Sequence, residues 1–112
     1  MKIYHNPRCR KSREGLELLK DSGQDFEIVE YLKNPLSADE IKSLLEKLNL
    51  EAEGLVRKGE AIWKENFKGK DLSDQEIIEA MATHPKLIER PIVEKGNKAV
   101  LGRPPENIKA LL

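Results

Sequence analysis

Cysteine is nearly absent from this chain: Cys9 is the only one in 112 residues. A single cysteine cannot close an internal disulfide, and this is typical of proteins kept in a reducing compartment. Together with two histidines far apart in the sequence, it gives no ligand set with the spacing of a zinc site. We therefore expect a cytoplasmic protein without a bound metal.

The chain also lacks a charge surplus and a long apolar run. Lysine plus arginine number 20, aspartate plus glutamate also number 20, and the net charge is zero. Nucleic acid is not expected as a partner, because binding to phosphates needs a standing basic surplus. No membrane is expected either, since no apolar stretch approaches spanning length and the N-terminus has no signal-peptide pattern. The length fits one domain, which we expect to be a monomer.

Positive charge is concentrated around the one cysteine, whose close neighbours in sequence include Arg8, Arg10, Lys11 and Arg13. Positive neighbours and the unpaired N–H groups of a helix start both stabilise a thiolate, the nucleophilic form of cysteine. The alternative is a small buried hydrophobic residue, which is the commoner role of a lone cysteine. The polar flanks of Cys9 favour the reactive thiolate and suggest a small anionic ligand.

The first third of the chain has the pattern of a βαβ unit. Lys2–His5 is suited to a strand, and Ser12–Ser22 is predicted to be a helix that Gly23 ends. Phe26–Tyr31 alternates apolar and acidic residues, which predicts a second strand. A strand, helix and strand at this spacing make the two strands parallel.

A helical insertion is predicted at about residues 37–88. Capping boxes begin at Ser37 and Ser73, and each is followed by an apolar stripe at helical spacing. The only tryptophan, Trp63, lies between them, and we interpret it as a packing residue rather than a binding residue.

The last part of the chain predicts a hairpin and a short helix. Two apolar runs, at 90–94 and 98–101, are joined by Gly96-Asn97, and a helix is expected to start at Pro104-Pro105. The whole order is βαβ, helical insertion, ββα. This order matches a thioredoxin-like α/β domain with a mixed sheet over residues 1–112, although sequence alone does not fix the strand order.

The cysteine lies in a C-x-x-S motif. Ser12 can donate a hydrogen bond to a Cys9 thiolate, or it can simply cap the helix. His5 can add positive charge when protonated, or it can be an exposed residue at the strand end. The motif excludes a dithiol thioredoxin, which needs C-x-x-C. A cysteine phosphatase of the C-x5-R type is also excluded, because Gly15 occupies the arginine position.

Three arginines, Arg57, Arg90 and Arg103, are flanked by glycine or proline residues that fix the local backbone. Arginine is well suited to tetrahedral oxyanions because its guanidinium donates two parallel hydrogen bonds. Taken singly, each is more often an ordinary surface residue. The spacing does not show whether the three converge.

The sequence resembles the glutaredoxin-linked arsenate reductase family (ArsC type), which shares its fold with Spx-type regulators. The likeness covers essentially the whole chain, and the segment at 84–93 together with the cysteine motif makes it specific. The matching residues are Tyr4-His5-Asn6-Pro7, Cys9, Ser12-Arg13, Tyr31-Leu32, Asn34-Pro35, Leu55, Arg57-Lys58, His84-Pro85, Leu87-Ile88, Arg90-Pro91-Ile92-Val93 and Arg103-Pro104.

The resemblance implies a role for each of these candidates. Cys9 is similar to the family's nucleophile, and His5 and Ser12 to the groups that lower its pKa. The three arginines resemble the family's oxyanion-binding residues, which implies that they converge. Pro91 is similar to the structural cis-proline of thioredoxin-like folds.

The activity that the resemblance implies is reduction of arsenate to arsenite, with glutathione as co-substrate, glutaredoxin as partner and no bound cofactor. Two alternatives stay open: a glutathione-dependent thiol or disulfide reductase without arsenate activity, and a non-enzymatic transcriptional regulator of the Spx type. The filled arginine positions favour the first activity, and Ser12 removes the C-x-x-C switch typical of redox regulators. The extra positive charge of Arg8, Arg10 and Lys11 departs from familiar members and leaves substrate choice open.

Overall fold

A computed structural model describes all 112 residues, which form two compact units. The first unit comprises residues 1–34 and 90–112, and the second comprises residues 35–89. The first is a mixed α/β unit and the second is helical. None of the helices is both long and apolar enough to cross a membrane.

The first unit begins with the predicted βαβ arrangement. Strand β1 (Lys2–Tyr4) is followed by helix α1 (Arg10–Asp21) and strand β2 (Glu27–Val29). The two strands pair in parallel with Ile3 opposite Ile28, as the βαβ pattern predicts. One loop joins β1 to the start of α1, and another joins the end of α1 to β2. Cys9 lies where the first loop meets the helix.

The predicted hairpin completes the sheet. Strands β3 (Ile92–Lys95) and β4 (Lys98–Leu101) are antiparallel and joined through Gly96, whose φ of 60° is the left-handed conformation that glycine tolerates. Strand β3 also pairs antiparallel with β1, so the strand order is β2-β1-β3-β4. A 3-10 helix over Pro105–Leu111 follows. Its apolar face joins a buried cluster made of Ile3, Leu19, Val93, Ile108 and Leu111.

The second unit consists of helices, as predicted. They are α2 (Ala38–Leu48), α3 (Ala61–Asn66) and α4 (Asp74–Thr83), with short 3-10 segments at Ala52–Gly54 and Pro85–Leu87. Both predicted capping boxes are formed. In each of them the serine side chain accepts the N–H three residues on, and the glutamate there accepts the serine N–H.

Trp63 is buried in this unit, and its ring centroid lies 5.3 Å from that of Phe67. Such a contact is typical of packing between aromatic side chains.

Two predicted element boundaries were wrong. Helix α1 begins at Arg10 rather than Ser12, so Cys9 itself is the N-cap residue. Strand β2 ends at Val29, and Tyr31 is fully buried in the turn that follows. Both errors fall at element ends, which local pattern defines least well. The last helix begins at Pro105, as expected, but it is 3-10 rather than α.

Candidate active site

The loop between β1 and α1 positions Cys9. The residue has an extended backbone (φ −94°, ψ 122°), so its carbonyl accepts the first helical hydrogen bond, from the Arg13 N–H at 3.0 Å. The Cys9 N–H donates back to the Asn6 carbonyl at 3.0 Å. The side chain is only partly buried. The sulfur therefore sits at the start of a helix of three turns and remains accessible.

Ser12, in the first turn of α1, holds this loop by hydrogen bonds. Its hydroxyl is 2.7 Å from Nδ1 of His5 and accepts the Asn6 N–H at 2.9 Å. Ser12 is fully buried and His5 is 5% exposed. The interpretation of Ser12 as an N-cap was wrong, because it lies in the first turn and its hydroxyl faces the loop. A hydroxyl engaged with His5 and Asn6 holds the loop shape instead of contacting the sulfur.

The pKa of the Cys9 thiol is lowered by its surroundings. Burial alone raises that pKa. The Ser12 N–H, a hydrogen bond and positive charge from Arg90, and the Lys11 N–H lower it, and together they outweigh the effect of burial. The Cys9 side chain accepts no capping hydrogen bond of normal geometry, but the nearby N–H groups of Ser12 and Lys11 still favour the anion. Ser12 thus acts on the thiolate through its backbone N–H, whereas the sequence suggested that its hydroxyl would do so.

Burial works against positive charge on His5. It lowers the pKa of the ring, and Arg13 and Lys20 lower that pKa too; Glu30 and the hydrogen bond with Ser12 only partly offset this. The surroundings therefore favour the neutral imidazole over the protonated form that the sequence offered as one role. The alternative of an exposed strand-end residue was wrong, since the ring is buried.

Arg90 and Arg103 come together in the first unit. Arg90 is half-buried and precedes Pro91, and the peptide bond between them is cis, as is Arg103–Pro104. The Arg103 guanidinium donates to the Arg90 carbonyl from Nη1 at 3.4 Å, and the Gly102 N–H donates to the Pro91 carbonyl at 2.9 Å. Arg90 is close enough to Cys9 for its hydrogen bond and charge to lower the pKa of the thiol, and Arg103 lies beside the backbone that carries Arg90.

Arg57 lies in the second unit and is paired with two carboxylates. Its Nη1 is 3.5 Å from Glu60 and its Nε is 3.8 Å from Glu89. The backbone is tied down as well, because the Arg57 N–H donates to the Leu87 carbonyl at 2.7 Å. Glu89 could not be predicted as a partner of Arg57, because the two residues lie far apart along the chain.

The basic residues around Cys9 are exposed and partly neutralised. Arg10 and Lys11 pair with Glu14 at 3.2 and 3.8 Å, and Arg13 donates to the Pro7 carbonyl at 3.0 Å. Exposed pairs of this kind contribute little to stability. The thiolate therefore depends mainly on Arg90 and the helix start. No group of three or more metal-binding side chains comes together in the structure.

Comparisons with known proteins match this architecture. The sequence profile of the ArsC family matches residues 4–111. The arsenate reductase of Neisseria meningitidis serogroup B is 44% identical over 114 residues, covering 100% of this chain and 97% of its own length. The uncharacterized protein YfgD of Escherichia coli K12 is 48% identical over 110 residues, covering 96% and 92%. The solved arsenate reductase structure from Vibrio cholerae is 45% identical, with a TM-score of 0.94 over 100% of this chain and 98% of its own.

The protein has the α/β architecture of the thioredoxin-like proteins, with a mixed sheet and helical additions. Within that class, the chain belongs to the ArsC family. The family and the fold expected from the sequence motifs are both confirmed.

We expect Arg90→Ala to raise the pKa of the Cys9 thiol, because it removes both a hydrogen bond and a positive charge from the thiolate. The measurement is the rate of iodoacetamide alkylation against pH. In the wild type the midpoint should lie below that of a free thiol, about 8.5. Arg10→Ala is the control, since it removes an adjacent arginine already paired with Glu14. Equal midpoints for the wild type and Arg90→Ala would contradict this account.

The buried neutral ring of His5 predicts a loss of stability in acid. Because the folded pKa of His5 is lowered, its contribution to stability is complete above the unfolded value of about 6.5 and is lost as pH falls toward the folded value. Urea unfolding of the wild type and His5→Gln should therefore differ in pH dependence, with the wild type losing stability more steeply below about pH 6.5. Parallel pH profiles would show that folding does not perturb this histidine.

Proposed function

We propose that this protein is an arsenate reductase in which the Cys9 thiolate is the nucleophile and glutathione and glutaredoxin supply the electrons. The observation that carries the proposal is the position of the one cysteine at the start of α1, with its thiolate favoured by backbone N–H groups and by Arg90. The ArsC family match and the relatives named arsenate reductase support the choice of substrate.

In the first step the Cys9 sulfur attacks arsenic(V), forms a sulfur–arsenic bond and displaces hydroxide or water. Two anions approach each other in this step, so positive charge must offset the repulsion. Arg90 already stabilises the thiolate, and Arg103 lies within hydrogen-bond distance of the Arg90 backbone. We assign the oxyanion to these two residues. The family resemblance adds Arg57 as a third candidate, whose guanidinium is paired with Glu60 and Glu89.

Reduction of arsenic(V) to arsenic(III) takes up two electrons, which two thiols supply when they join in one disulfide. The chain has a single cysteine, so it cannot supply both thiols itself. The glutathione sulfur bonds to arsenic in the adduct and displaces water. The glutaredoxin thiol then attacks the glutathione sulfur, so that a mixed disulfide forms, the bond between glutathione and arsenic breaks and its two electrons remain on arsenic. Water hydrolyses the bond between arsenic(III) and Cys9, which releases arsenite and returns Cys9 as a thiolate. No bound cofactor is needed for this sequence.

The same chemistry indicates where the protein works. Glutathione and glutaredoxin are kept reduced in the cytoplasm, and a lone reactive thiol survives there. We therefore propose a cytoplasmic monomer that meets glutaredoxin transiently. We also propose that residues 1–112 form a single thioredoxin-like domain, with a helical insertion at about residues 37–88.

Arsenate-dependent oxidation of NADPH, coupled through glutathione, glutathione reductase and glutaredoxin, tests the activity. Turnover should require arsenate and glutathione, and Cys9→Ser should abolish it because a hydroxyl is not ionised at neutral pH. Several glutaredoxins would be tried. An absence of arsenate turnover with all of them, combined with reduction of a glutathione mixed disulfide, would favour the thiol or disulfide reductase instead.

Replacing the arginines should reduce activity far more than replacing a surface lysine. Arg90→Ala and Arg103→Ala are each expected to lower kcat/KM for arsenate by about 10²–10³-fold, the usual cost of removing one donor to a developing oxyanion. Arg57→Ala tests the third candidate in the same assay. Lys68→Ala removes an exposed charge and should leave kcat/KM unchanged. Losses no larger than that of Lys68→Ala would remove the arginines from the oxyanion site.

A further inference from the structure

Two glycines lie against the ring of Pro91, one on each of two different segments. Gly15 is in α1, and Gly102 follows β4. A Cβ atom on Gly15 would lie 2.9 Å from Cγ of Pro91 and 3.1 Å from Cδ1 of Ile108. A Cβ atom on Gly102 would lie 2.8 and 3.0 Å from the same two atoms. Any larger residue at either position must therefore displace the proline ring or Ile108.

The reason for glycine here is space rather than backbone freedom. The glycines with positive φ are Gly23, Gly69 and Gly96, and Gly15 and Gly102 are not among them. At both of the latter positions alanine could adopt the backbone conformation, and alanine is the better residue inside a helix such as α1. The missing methyl groups therefore serve the close approach of Pro91.

The fixed position of Pro91 matters because Arg90 is the next residue. Pro91 is buried, and its carbonyl accepts the Gly102 N–H at 2.9 Å. Its ring is rigid and cannot swing away from an added methyl group, whereas Cδ1 of Ile108 is the end of a flexible side chain. An added Cβ would therefore push on the backbone that carries Arg90, whose carbonyl also accepts from Arg103.

We propose that Gly15 and Gly102 are positioning residues, whose missing side chains let Pro91 pack where it holds the Arg90 guanidinium beside the Cys9 sulfur. Neither glycine touches the sulfur or a substrate, so both act through Pro91. Any effect on arsenate turnover rests on the proposed function. The effect on the thiol does not, because alkylation of Cys9 needs neither arsenate nor glutathione.

The experiment compares Gly15→Ala and Gly102→Ala with the wild type by the pH dependence of Cys9 alkylation. Circular dichroism first establishes that each variant is folded. We expect both midpoints to rise toward that of Arg90→Ala and alkylation at neutral pH to slow several-fold. Gly59→Ala is the matched control, since its added Cβ meets no atom within 4 Å and its φ is not left-handed. Folded alanine variants with a wild-type midpoint would overturn the proposal.

A double-variant cycle separates positioning from general loosening of the unit. If the glycines act through Arg90, Gly15→Ala should raise the midpoint in the wild type and add nothing in an Arg90→Ala background. An equal rise in both backgrounds would overturn the proposal, because the methyl group would then act on the thiolate by another route.

A second variant covers a failure of the alanine variants to fold. Gly15→Ala combined with Ile108→Val deletes Cδ1 of Ile108, one of the two side-chain atoms nearest to the added Cβ, and leaves the Pro91 ring as the other. A raised midpoint in this folded double variant would support the role of Pro91, and a wild-type midpoint would overturn it. If the midpoints shift as expected while the wild type turns over no arsenate, the positioning role holds and the proposed function fails.

Discussion

The proposed chemistry of this protein depends on the balance of interactions that act on the Cys9 sulfur. Partial burial of Cys9 works against its ionised form, and the helix start and Arg90 work for it. Partial burial also strengthens the interactions that favour the thiolate, because hydrogen bonds and charges act more strongly at low dielectric. The thiolate is therefore stable only while the N–H groups and the guanidinium keep their positions. Much of the first unit can be understood as the structure that keeps them there.

Ser12 shows how the C-x-x-S motif differs from a dithiol motif. Its hydroxyl holds the preceding loop through His5 and Asn6, and its N–H faces the sulfur. A cysteine at this position would offer a second thiol but would lose strong hydrogen bonds to the loop, since sulfur is a weak donor and acceptor. The serine thus holds the loop by hydrogen bonds, and in the proposed reaction the second thiol comes from a partner.

Local pattern was sufficient to predict the βαβ unit, the hairpin and the two capped helices, because periodicity and turn residues are read within a few positions. Features set by distant contacts were not predictable. His5 is buried, with its ring against the Ser12 hydroxyl and its N–H donating to the Val29 carbonyl, whereas the local sequence also allowed an exposed strand end. Gly15 was informative in the sequence only as a missing arginine, whereas its packing depends on Pro91, far along the chain. The pairing of β1 with β3 likewise sets the strand order without a local signal.

The three arginines look equivalent in the sequence and are not equivalent in the structure. Arg90 acts on the thiolate, Arg103 supports the Arg90 backbone, and Arg57 is already balanced by Glu60 and Glu89. For Arg57 to bind the anionic substrate of the proposed reaction, that anion would have to displace the two carboxylates, and this competition would weaken its binding. The product, arsenite, is uncharged at neutral pH and cannot compete in this way. The carboxylates would then recover Arg57, so the same ion pairs that weaken substrate binding favour product release.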